Sequence, residues 1–435
     1  MNMTFVGMGY VGLVNSVILA SYNHNIIGFD IDKEKISLLK QGVSTIEEPN
    51  LQTLLTEAQH NLRFTSNAKD AIRGSNVIVI CVDTPQGKDG EPDLTHFYEV
   101  LDEIADNATQ NCCIIIRSTV PVGTNRLTKK YLESKCNYRF QVISMPEFLS
   151  QGNAVKDTIN PSRLVIGVTS PEAEIFAKSL AGIFVNKKVP LLVTTPETAE
   201  LIKYASNSFL AMKISYINSI SRLCDKVDAD IDKVALGMSL DPRIGPSFLK
   251  AGVGYGGSCF PKDTNGLYWI SDDNAVPLDL VKATITENDA QIKYFLDKIT
   301  KRFKSLNNLK IAVFGVGFKG GTEDVRNSPA IPIVKYLLEK GAYINLYDPL
   351  AEENFHKVFS RHTHIAYLDY PQDALKNSDF VIILNDSDEF KKLTADFYIE
   401  NMKRPIIFDG RNLYKVEDMK GTEYYSIGRP SLKKK

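Results

Sequence analysis

The sequence predicts an α/β protein in which two doubly wound, Rossmann-like parallel-sheet domains are joined by a helical middle domain. Short apolar runs alternate with helical patterns from residue 3, a long helical pattern replaces them after Pro196, and the alternation restarts at Lys310. The length of 435 residues is enough for two or three domains, each with its own core. We expect domain boundaries at residues 1–195, 196–303 and 304–435.

The first domain is predicted from strands that are separated by helices. The expected strands are residues 3–6, 26–29, 77–82, 113–116 and 141–144. Helical patterns over residues 12–21 and 33–40 follow the first two. Parallel strands need such crossovers, so the pattern indicates a parallel sheet that ends near Thr194.

Residues 196 to about 229 form one long predicted helix. Apolar and small side chains recur there at helical spacing, at Leu201, Ala205, Phe209, Met212, Tyr216 and Ile220. A glycine-rich interruption over residues 242–257 separates this helix from a second helical stretch over 277–303. A helix this long with apolar faces usually needs a partner, which predicts a homodimer formed through the middle domain.

The third domain repeats the plan of the first. A strand followed by a glycine turn returns at Lys310-Ile311-Ala312-Val313-Phe314-Gly315, and later strands are expected at residues 343–347, 380–384 and 406–408. A crevice between two sheets of this kind suits a ligand that touches both.

Charge and targeting signals exclude several classes of function. The formal net charge of -1 gives no broad electrostatic surface for nucleic acid or anionic lipid, and Lys433, Lys434 and Lys435 are expected to be a solvated tail. The N-terminus lacks a signal-peptide pattern, and no apolar run approaches the ~20 residues that span a bilayer. We therefore expect a cytoplasmic protein without nucleic-acid or membrane partners.

The cysteines show neither paired CxxC spacing nor nearby histidine clusters. They are Cys81, Cys112, Cys113, Cys136, Cys224 and Cys259. This distribution argues against a disulfide framework and against a zinc site, so no bound metal is expected. Buried, inert thiols are the default expectation for all of them except Cys259.

The glycine loop Gly7-Met8-Gly9-Tyr10-Val11-Gly12 lies between a predicted strand and a predicted helix, as a dinucleotide-binding loop must. Its glycines allow a tight turn, close approach of a pyrophosphate, and close packing of the helix on the strand. Asp30 ends the next strand, where a carboxylate accepts hydrogen bonds from ribose hydroxyls and repels a 2′-phosphate, which favours NAD over NADP. Lys35 could tolerate a 2′-phosphate, and an exposed helix position is its alternative interpretation.

Two later strand ends add hydroxyl groups near the expected cofactor cleft. They are Thr84 and the segment Ser118-Thr119-Val120. Strand ends at the switch point of such a sheet line the cleft, so Thr84 and Thr119 are candidates for contacts with dinucleotide or substrate. Capping of the following turn or helix explains these hydroxyls equally well.

The strongest chemical signal in the sequence is Gly254-Tyr255-Gly256-Gly257-Ser258-Cys259-Phe260-Pro261-Lys262-Asp263. Glycines surround Cys259, and Lys262 and Asp263 follow closely. Backbone amides freed by glycine, together with the Lys262 cation, favour a thiolate, which is the form of cysteine that attacks carbonyl carbons. A structural thiol in a glycine turn is the alternative, and these surroundings favour chemistry instead.

With these motifs the sequence resembles the UDP-glucose/GDP-mannose dehydrogenase family. The shared motifs, in order, are the GxGYVG loop, Ser118-Thr119-Val120-Pro121-Val122-Gly123, Pro146-Glu147-Phe148-Leu149, Glu200-Leu201-Ile202-Lys203 with Asn207, Asp241-Pro242-Arg243-Ile244-Gly245, Gly256-Gly257-Ser258-Cys259-Phe260-Pro261-Lys262-Asp263 and Phe408-Asp409-Gly410-Arg411. The resemblance implies an N-terminal NAD domain, a helical dimerisation core and a C-terminal UDP domain. It also implies a four-electron oxidation of UDP-glucose to UDP-glucuronate by two NAD molecules in succession.

The resemblance assigns the catalytic roles. Cys259 would capture the aldehyde as a thiohemiacetal, whose oxidation gives a thioester that water hydrolyses. Lys203 would stabilise oxyanionic intermediates, and Asn207, one helical turn later, would face the same site. Asp263 would act with an ordered water in proton transfer, and Glu147 would assist thioester hydrolysis. The implied catalytic set is Cys259, Lys203, Asp263, Asn207, Glu147 and Thr119.

The resemblance also implies the ligand contacts. For the sugar nucleotide these are Glu147, Phe148, Leu149, Lys203, Asn207, Arg243 from a neighbouring subunit, the loop Phe248-Leu249-Lys250-Ala251-Gly252, Gly256, Lys319 and Arg411. For NAD they are the first glycine loop, Asp30, Lys35, Thr84, Ser118, Thr119, Val120, Gln151, Lys262 and Arg326. A second glycine string, Gly315-Val316-Gly317-Phe318-Lys319-Gly320, would alone suggest a dinucleotide site, and the resemblance assigns it to the UDP half.

Gln151 departs from the family, which often has a glutamate at this position. An amide keeps a hydrogen bond but cannot take a proton, so more acid–base work would fall on Glu147 and Asp263. The GGSCFPKD and FLKAG motifs favour UDP-glucose over UDP-N-acetylhexosamines and GDP-mannose as substrate. Two alternatives leave Cys259 without a covalent role, namely a two-electron hydroxyacid dehydrogenase and a sugar-nucleotide-binding protein without turnover.

Overall fold

The computed structural model describes residues 2–184, 189–360 and 362–430, and Lys433, Lys434 and Lys435 of the expected tail lie outside them. The described chain divides into two compact units, one of residues 2–206 and 265–276 and the other of residues 207–264 and 277–430. The expected middle domain contributes residues to both units, and the three expected domain boundaries stay a prediction.

The sheet of the first unit has eight described strands in the order β3-β2-β1-β4-β5-β6-β7-β8. They are β1 Asn2–Val6, β2 Asn25–Phe29, β3 Leu62–Thr65, β4 Val77–Ile80, β5 Cys112–Ile116, β6 Phe140–Ser144, β7 Leu164–Gly167 and β8 Leu191–Thr194. Neighbours run parallel, except that β7 meets β6 antiparallel. The order of the first six strands is that of a doubly wound dinucleotide-binding sheet with its switch point between β1 and β4.

Helices cover both faces of this sheet. In β4, Val77 and Val79 belong to one apolar core, and Ile78 and Ile80 belong to another on the opposite face. Because both faces of β4 are buried, its sequence is a continuous apolar run. The helices are α1 Tyr10–Ser21, α2 Lys33–Lys40, α3 Leu51–Ala58, α4 Ala68–Ile72, α5 Thr95–Asn107, α6 Thr124–Lys135, α7 Ala154–Ile159 and α8 Pro171–Phe184, with a 3₁₀ turn at Gln59–Asn61.

Four helices lie between residues 195 and 309, all of which the structure describes. They are α9 Pro196–Val227, α10 Ile231–Ser239, α11 Phe260–Asp273 and α12 Asp279–Arg302. α9 and α12 match the two predicted helical stretches, whereas α10 and α11 are missing from the prediction. α10 begins after Asp230, whose carboxylate accepts hydrogen bonds from the N–H groups of Asp232 and Lys233. None of the described helices is both long and apolar enough to cross a membrane.

The sheet of the second unit repeats the doubly wound order, as β11-β10-β9-β12-β13-β14, with parallel neighbours. Its strands are β9 Lys310–Phe314, β10 Tyr343–Tyr347, β11 Ile365–Tyr367, β12 Phe380–Ile383, β13 Ile406–Asp409 and β14 Glu423–Tyr425. Its helices are α13 Ala330–Glu339, α14 Glu352–Val358, α15 Pro371–Leu375, α16 Asp388–Lys391 and α17 Ala395–Asn401, with a 3₁₀ turn at Val416–Met419. Apolar cores again cover both faces, because Ile311 and Val313 belong to one and Ala312 and Phe314 to the other.

The predicted fold class is confirmed, and every predicted strand is present. The strands that the prediction omits lie toward the sheet edges: β3, β7, β8, β11 and β14. β8, β11 and β14 contain partly exposed residues, so they lack the continuous apolar run that indicates a buried strand.

Candidate active site

The first glycine loop has the geometry of a dinucleotide-binding turn. Gly7 has a φ of +94°, which L side chains rarely adopt. A Cβ at Gly12 would lie 1.8 Å from the Gly7 carbonyl oxygen, so only glycine allows α1 to pack this closely. A Cβ at Gly9 would meet nothing within 4 Å, and α1 begins at Tyr10, directly after it. The backbone at the start of α1 is therefore accessible at Gly9, as the binding of a pyrophosphate requires.

Asp30 lies beside this loop, just after β2. Its Oδ2 accepts hydrogen bonds from the Met8 N–H at 2.8 Å and from Lys35 Nζ at 3.0 Å. Lys35 is therefore paired with the carboxylate that the sequence assigns to the ribose, and is not simply an exposed helix residue. A carboxylate held at this position fits the adenine ribose of NAD.

The hydroxyl groups at the ends of β4 and β5 are used within the protein. Thr84 Oγ1 donates to the Thr119 carbonyl at 2.6 Å, and Ser118 Oγ donates to the Val82 carbonyl at 2.6 Å. Val120 is buried. These bonds hold the two strand ends together, so the Thr84 hydroxyl has a structural role whether or not a ligand also touches it.

Lys203 and Glu147 form a buried ion pair in the first unit. Lys203 Nζ donates to Glu147 Oε1 at 2.7 Å and to the Glu147 carbonyl at 2.8 Å, and Glu147 Oε2 accepts from the Leu149 N–H at 2.6 Å. Burial raises the pKa of Glu147, but Lys203, the Leu149 N–H and Arg117 outweigh it and hold the pKa below its usual value. Glu147 is therefore a carboxylate at neutral pH.

Phe148 lies against two cations. The guanidinium carbon of Arg163 is 3.8 Å from its ring centre, and Lys203 Nζ is 5.6 Å away. Cations over an aromatic face are attracted by its negative charge density. Phe148 thus contributes to the position of Lys203 as well as being a predicted substrate contact.

Gln151 lies half-buried in the turn before α7. In the same turn the N–H of Gly152 donates to the buried carboxylate of Glu48, which also accepts from the Ala154 N–H at 3.0 Å. The sequence prediction missed Glu48, because no spacing rule links it to a turn so far along the chain.

Cys259 lies at the N-terminus of α11 in the second unit. Its carbonyl accepts the first helical hydrogen bond, from the Asp263 N–H at 2.8 Å, so Cys259 is the N-cap. The partial positive charge of a helix N-terminus favours a thiolate. A Cβ at Gly256 would lie 2.3 Å from the Asn327 carbonyl oxygen, so only glycine lets the chain approach Cys259 along this path.

The buried cysteines have a different environment. Burial raises the pKa of Cys81 and of Cys112 to about 12, and it raises the pKa of Cys113 and Cys224 as well. Such thiols stay protonated near neutral pH and are poor nucleophiles. Cys136 and Cys259 are only partly buried, and Cys259 is the one of the two that precedes a helix.

Asp263 is buried in the first turn of α11, where both carboxylate oxygens have partners. Asn207 Nδ2 donates to Oδ2 at 2.5 Å, and Lys262 Nζ donates to Oδ1 at 2.5 Å. Of the predicted catalytic residues, the second unit thus brings Asn207 and Asp263 together one turn from Cys259, and the first unit brings Glu147 and Lys203 together.

The predicted nucleotide loop, 248–252, is fixed from its buried side. Leu249 and Ala251 point into the core, whereas Phe248 and Lys250 are exposed. Phe248 has a φ of +64°, and its ring centre is 5.9 Å from that of Phe260. Any ligand contact by Leu249 or Ala251 must therefore come from the backbone.

Arg411 and Lys250, two predicted contacts of the sugar nucleotide, lie near Asp386 in the second unit. Asp386 Oδ1 accepts from the Gly320 N–H at 2.9 Å. Burial raises the pKa of Asp386, but this bond and the charges of Arg411 and Lys250 outweigh it and lower the pKa below its usual value. Arg411 also donates to the carbonyls of Leu384, Gly254 and Phe318 at 2.7, 3.0 and 3.0 Å. Arg411 is therefore a structural residue as well as a predicted ligand contact.

Of the other predicted cations in the second unit, Arg243 and Arg326 are exposed and Lys319 is half-buried. Lys319 Nζ is 5.6 Å from the centre of the Phe318 ring. Arg326 and Arg243 pair with the acid two residues earlier, Asp324 and Asp241 respectively. Within the described residues, no group of three or more His, Cys, Asp or Glu side chains is arranged to hold a metal ion.

Sequence profiles of the UDP-glucose/GDP-mannose dehydrogenase family match three consecutive parts of the chain. The NAD binding domain matches residues 1–185, the central domain 197–290 and the UDP binding domain 312–416. The chain belongs to this family. The family predicted from the sequence motifs is confirmed, and so is NAD as the cofactor of its N-terminal domain.

Relatives match almost the whole chain. UDP-glucose 6-dehydrogenase TuaD of Bacillus subtilis is 41% identical over 434 residues, which is 98% of this chain and 93% of that protein. The structure of a UDP-glucose dehydrogenase from Pyrobaculum islandicum superposes with a TM-score of 0.91 at 31% identity, covering 98% of this chain and 97% of the other. UDP-D-ManNAc dehydrogenase from Pyrococcus horikoshii has a TM-score of 0.88 at 28% identity, covering 99% of both chains.

The family's UDP binding domain contains the second glycine string, and its geometry shows why this string differs from the first. Asp348 Oδ2 accepts from the N–H groups of Val316 at 2.6 Å and Gly317 at 3.1 Å, as Asp30 does from Met8 in the NAD binding domain. However, the next helix, α13, begins only at Ala330, well beyond the string. No helix N-terminus lies within this fully described loop, so it does not offer the helix N-terminal amides that the first loop presents to a pyrophosphate.

The sequence prediction missed buried amides that hold the loops of this family site. Asn288 exchanges two hydrogen bonds with the backbone of Tyr255, at 2.8 and 3.1 Å. Asn218 accepts from the Gly252 N–H, and Gln291 donates to the Gly252 carbonyl, both at 2.9 Å. The available signal was weak: a polar amide at a position where the helical pattern predicts an apolar one.

Proposed function

We propose that this chain oxidises the primary alcohol of UDP-glucose to the carboxylate of UDP-glucuronate, with Cys259 as covalent nucleophile. The observation that supports it most is the position of Cys259 at the N-terminus of α11, one turn from the buried Asp263. The similarity to UDP-glucose 6-dehydrogenases at about 40% identity over the whole chain supports the substrate.

The chain's residues fit NAD. The open face at Gly9, the N-terminus of α1 and the Asp30 carboxylate would hold the pyrophosphate and the adenine ribose. Ser118, Thr119 and Val120 at the end of β5 lie at the same edge of the sheet. When bound, NAD accepts one hydride in each of two oxidation steps.

Cys259 makes the second oxidation feasible. Loss of a hydride and a proton from the alcohol gives an aldehyde, which cannot lose a further hydride until a nucleophile makes its carbon tetrahedral. Attack by the Cys259 thiolate gives a thiohemiacetal, and loss of a hydride and a proton from this adduct gives a thioester. Water then cleaves the carbon–sulfur bond and regenerates the thiol. One sugar nucleotide, two NAD and one water give one uronate, two NADH and three protons.

The two buried carboxylates, Asp263 and Glu147, have separate tasks in this proposal. Asp263, held by Asn207 and Lys262, takes the proton of the alcohol through an ordered water. Lys203 stabilises the oxyanions that form at the reacting carbon, and Glu147 both orients Lys203 and assists the water that hydrolyses the thioester. Gln151 cannot transfer a proton, which leaves this hydrolysis to Glu147.

The second unit supplies the contacts for the nucleotide. Lys250, Lys319 and Arg411 are the cations proposed for the diphosphate, and the fixed backbone of residues 248–252 is proposed to contact the nucleoside. The similarity to UDP-D-ManNAc dehydrogenase makes an N-acetylhexosamine nucleotide the main alternative substrate.

A homodimer through α9 completes the proposal. Three exposed apolar residues recur on α9 at seven-residue spacing: Phe209, Tyr216 and Leu223. Their exposed fractions are 56%, 50% and 56%, respectively. This apolar stripe has the repeat of a helix–helix interface. Arg243, whose side chain is 88% exposed, is proposed to reach the partner's site. We place the reaction in the cytoplasm, where thiols such as Cys259 stay reduced.

The test is a coupled assay of the purified chain with NAD and, separately, UDP-glucose, UDP-N-acetylmannosamine and GDP-mannose. We expect the highest kcat/KM with UDP-glucose and two NADH per sugar consumed, with little free aldehyde. One NADH per sugar would reject the covalent mechanism, and a preference for another nucleotide would reject the substrate.

A further inference from the structure

Glu200 is a buried acid that the mechanism above does not use. It lies on α9 one helical turn before Lys203, and only 4% of the residue is exposed. Its Oε2 accepts from the Gly123 N–H at 2.6 Å, and its Oε1 accepts from the Asn125 N–H at 2.9 Å and from Ser144 Oγ at 3.2 Å. Both oxygens are therefore occupied by donors from other elements.

These partners belong to segments that line the proposed site. Gly123 and Asn125 flank the first residue of α6, at the end of the turn that begins with Thr119. Ser144 ends β6, and its hydroxyl also accepts from Asn125 Nδ2 at 3.0 Å. A carboxylate at this position satisfies the amides at the start of α6 and interacts favourably with the helix dipole. Glu200 thus joins α9, the turn after β5 and the end of β6.

Glu200, Thr119 and Lys203 also border one small cavity. Ser118, Ser144 and Pro146 complete much of its lining. Its volume is about 10 Å³, roughly that of one water molecule. A displacement of the Thr119 turn relative to α9 would therefore change the surroundings of Lys203 directly.

The negative charge of Glu200 is costly for stability. Burial raises the pKa of Glu200 to about 7, although the N–H groups of Gly123 and Asn125 and the Ser144 hydroxyl lower it, and the nearby Glu197 raises it further. The folded chain therefore binds this proton more tightly than the unfolded chain does, and above neutral pH the ionised form weakens the fold. A neutral amide of the same shape would avoid that cost.

We infer that Glu200 is a positioning residue of the oxidation, whose carboxylate holds the Thr119 turn and the start of α6 against the helical turn that contains Lys203. The inference rests on the proposed function of Lys203. An amide cannot replace this carboxylate, because its NH₂ group would face an N–H donor where the carboxylate presents an oxygen.

The test compares Glu200→Gln with Glu197→Gln in the full chain at pH 8. Glu197 is the matched control, because it also joins α9 to α6, by an ion pair with Arg126, but does so at the surface. We expect Glu200→Gln to lower kcat about ten- to a hundredfold, since small misplacements of catalytic groups have effects of this size. The KM for UDP-glucose should change much less, and Glu197→Gln should match the wild type. The Tm of Glu200→Gln should fall only slightly, because the amide avoids the cost of the buried charge but leaves an N–H donor without its acceptor.

Two results would overturn the inference. One is an unchanged kcat in Glu200→Gln; the other is a kcat that returns to the wild-type value once it is expressed per folded molecule, which would make Glu200 an ordinary structural residue. Glu200→Asp keeps the charge and should recover part of kcat, and a rate no better than that of the glutamine variant would also count against it. If the wild type oxidises a different sugar nucleotide, the substrate proposal fails, and the same comparison is made with the nucleotide that it does oxidise.

Discussion

Lys203→Met would leave Glu147 as an unpaired carboxylate in the interior of the first unit. The side chains of Lys203 and Glu147 are only 4% and 8% exposed, and Nζ lies 2.7 Å from Oε1. Methionine keeps most of the length and the apolar stem of lysine, so the main loss is the ammonium group and its two hydrogen bonds to Glu147.

The expected loss of stability is large because solvent screens this pair very little. Removal of one partner from a buried ion pair costs about 3–5 kcal/mol. Arg117 and the Leu149 N–H still act on Glu147, which places the expected value near the lower end, at ~3 kcal/mol. For a unit of about two hundred residues, each kcal/mol lowers Tm by roughly 2–4 °C, so we expect a drop of roughly 6–12 °C near pH 8.

The pH dependence of this loss has a defined sign. In the wild type the pKa of Glu147 lies below its usual 4.5, so the pair stabilises the fold above that pH and the contribution is lost as the pH falls below it. In Lys203→Met, burial dominates and moves the pKa of Glu147 upward. The deficit of the variant should therefore be largest at pH 8 and shrink as the pH falls and Glu147 takes up a proton.

Thermal unfolding of the wild type and Lys203→Met between pH 5 and 8.5 measures this effect, and Lys203→Met/Glu147→Gln is the matched control. The double variant lacks both charges of the pair, so it should regain much of the lost Tm at pH 8. Full recovery is not expected, because the buried Arg117 loses the nearby Glu147 carboxylate. The kcat of the double variant should stay low, about 10²- to 10³-fold below the wild type, because the proposed oxyanion donor is still missing. A Tm deficit independent of pH, or a double variant less stable than the single one, would refute this account of the pair.

Four further outcomes follow from the site and the helical stripe. Cys259→Ser should lower steady-state formation of uronate at least about 10³-fold while both ligands still bind, and intact-protein mass spectrometry will show whether an ester adduct accumulates. A near-normal rate would mean that Cys259 is a structural thiol. Asp30→Ala should raise the KM for NAD about ten- to a hundredfold and leave the KM for UDP-glucose nearly unchanged, which steady-state kinetics with each ligand varied will show. Lys250→Ala should raise the KM for UDP-glucose about tenfold without a change in Tm, and equal effects on both substrates would contradict its assignment to the nucleotide. Tyr216→Lys should convert the proposed dimer to monomers in size-exclusion chromatography with light scattering, and a wild type that is itself monomeric would exclude the dimer.

Much of the fold was predictable because it depends on local patterns. β4 reads as a continuous apolar run because helices cover both of its faces, and α9 reads as a helix because its apolar residues recur at helical spacing. α11 was missed because the glycines before Cys259 indicate a loop. Pro261, the second residue of α11, is typical of a first helical turn and was the available signal. β11 and β14 were missed because short edge strands bury few side chains.

The doubly wound sheets, the NAD loop, the cysteine proposed as nucleophile and the family were all accessible from the sequence, since each depends on residues that are close together in the chain. The meeting of distant polar groups became visible only in the folded chain. Glu200 accepts from Gly123 across 77 positions, and Lys203 meets Glu147 across 56. A buried hydrogen bond or ion pair requires its two partners to be within about 3 Å. That distance depends on how helices pack on the sheet, and the spacing of residues along the chain does not contain it.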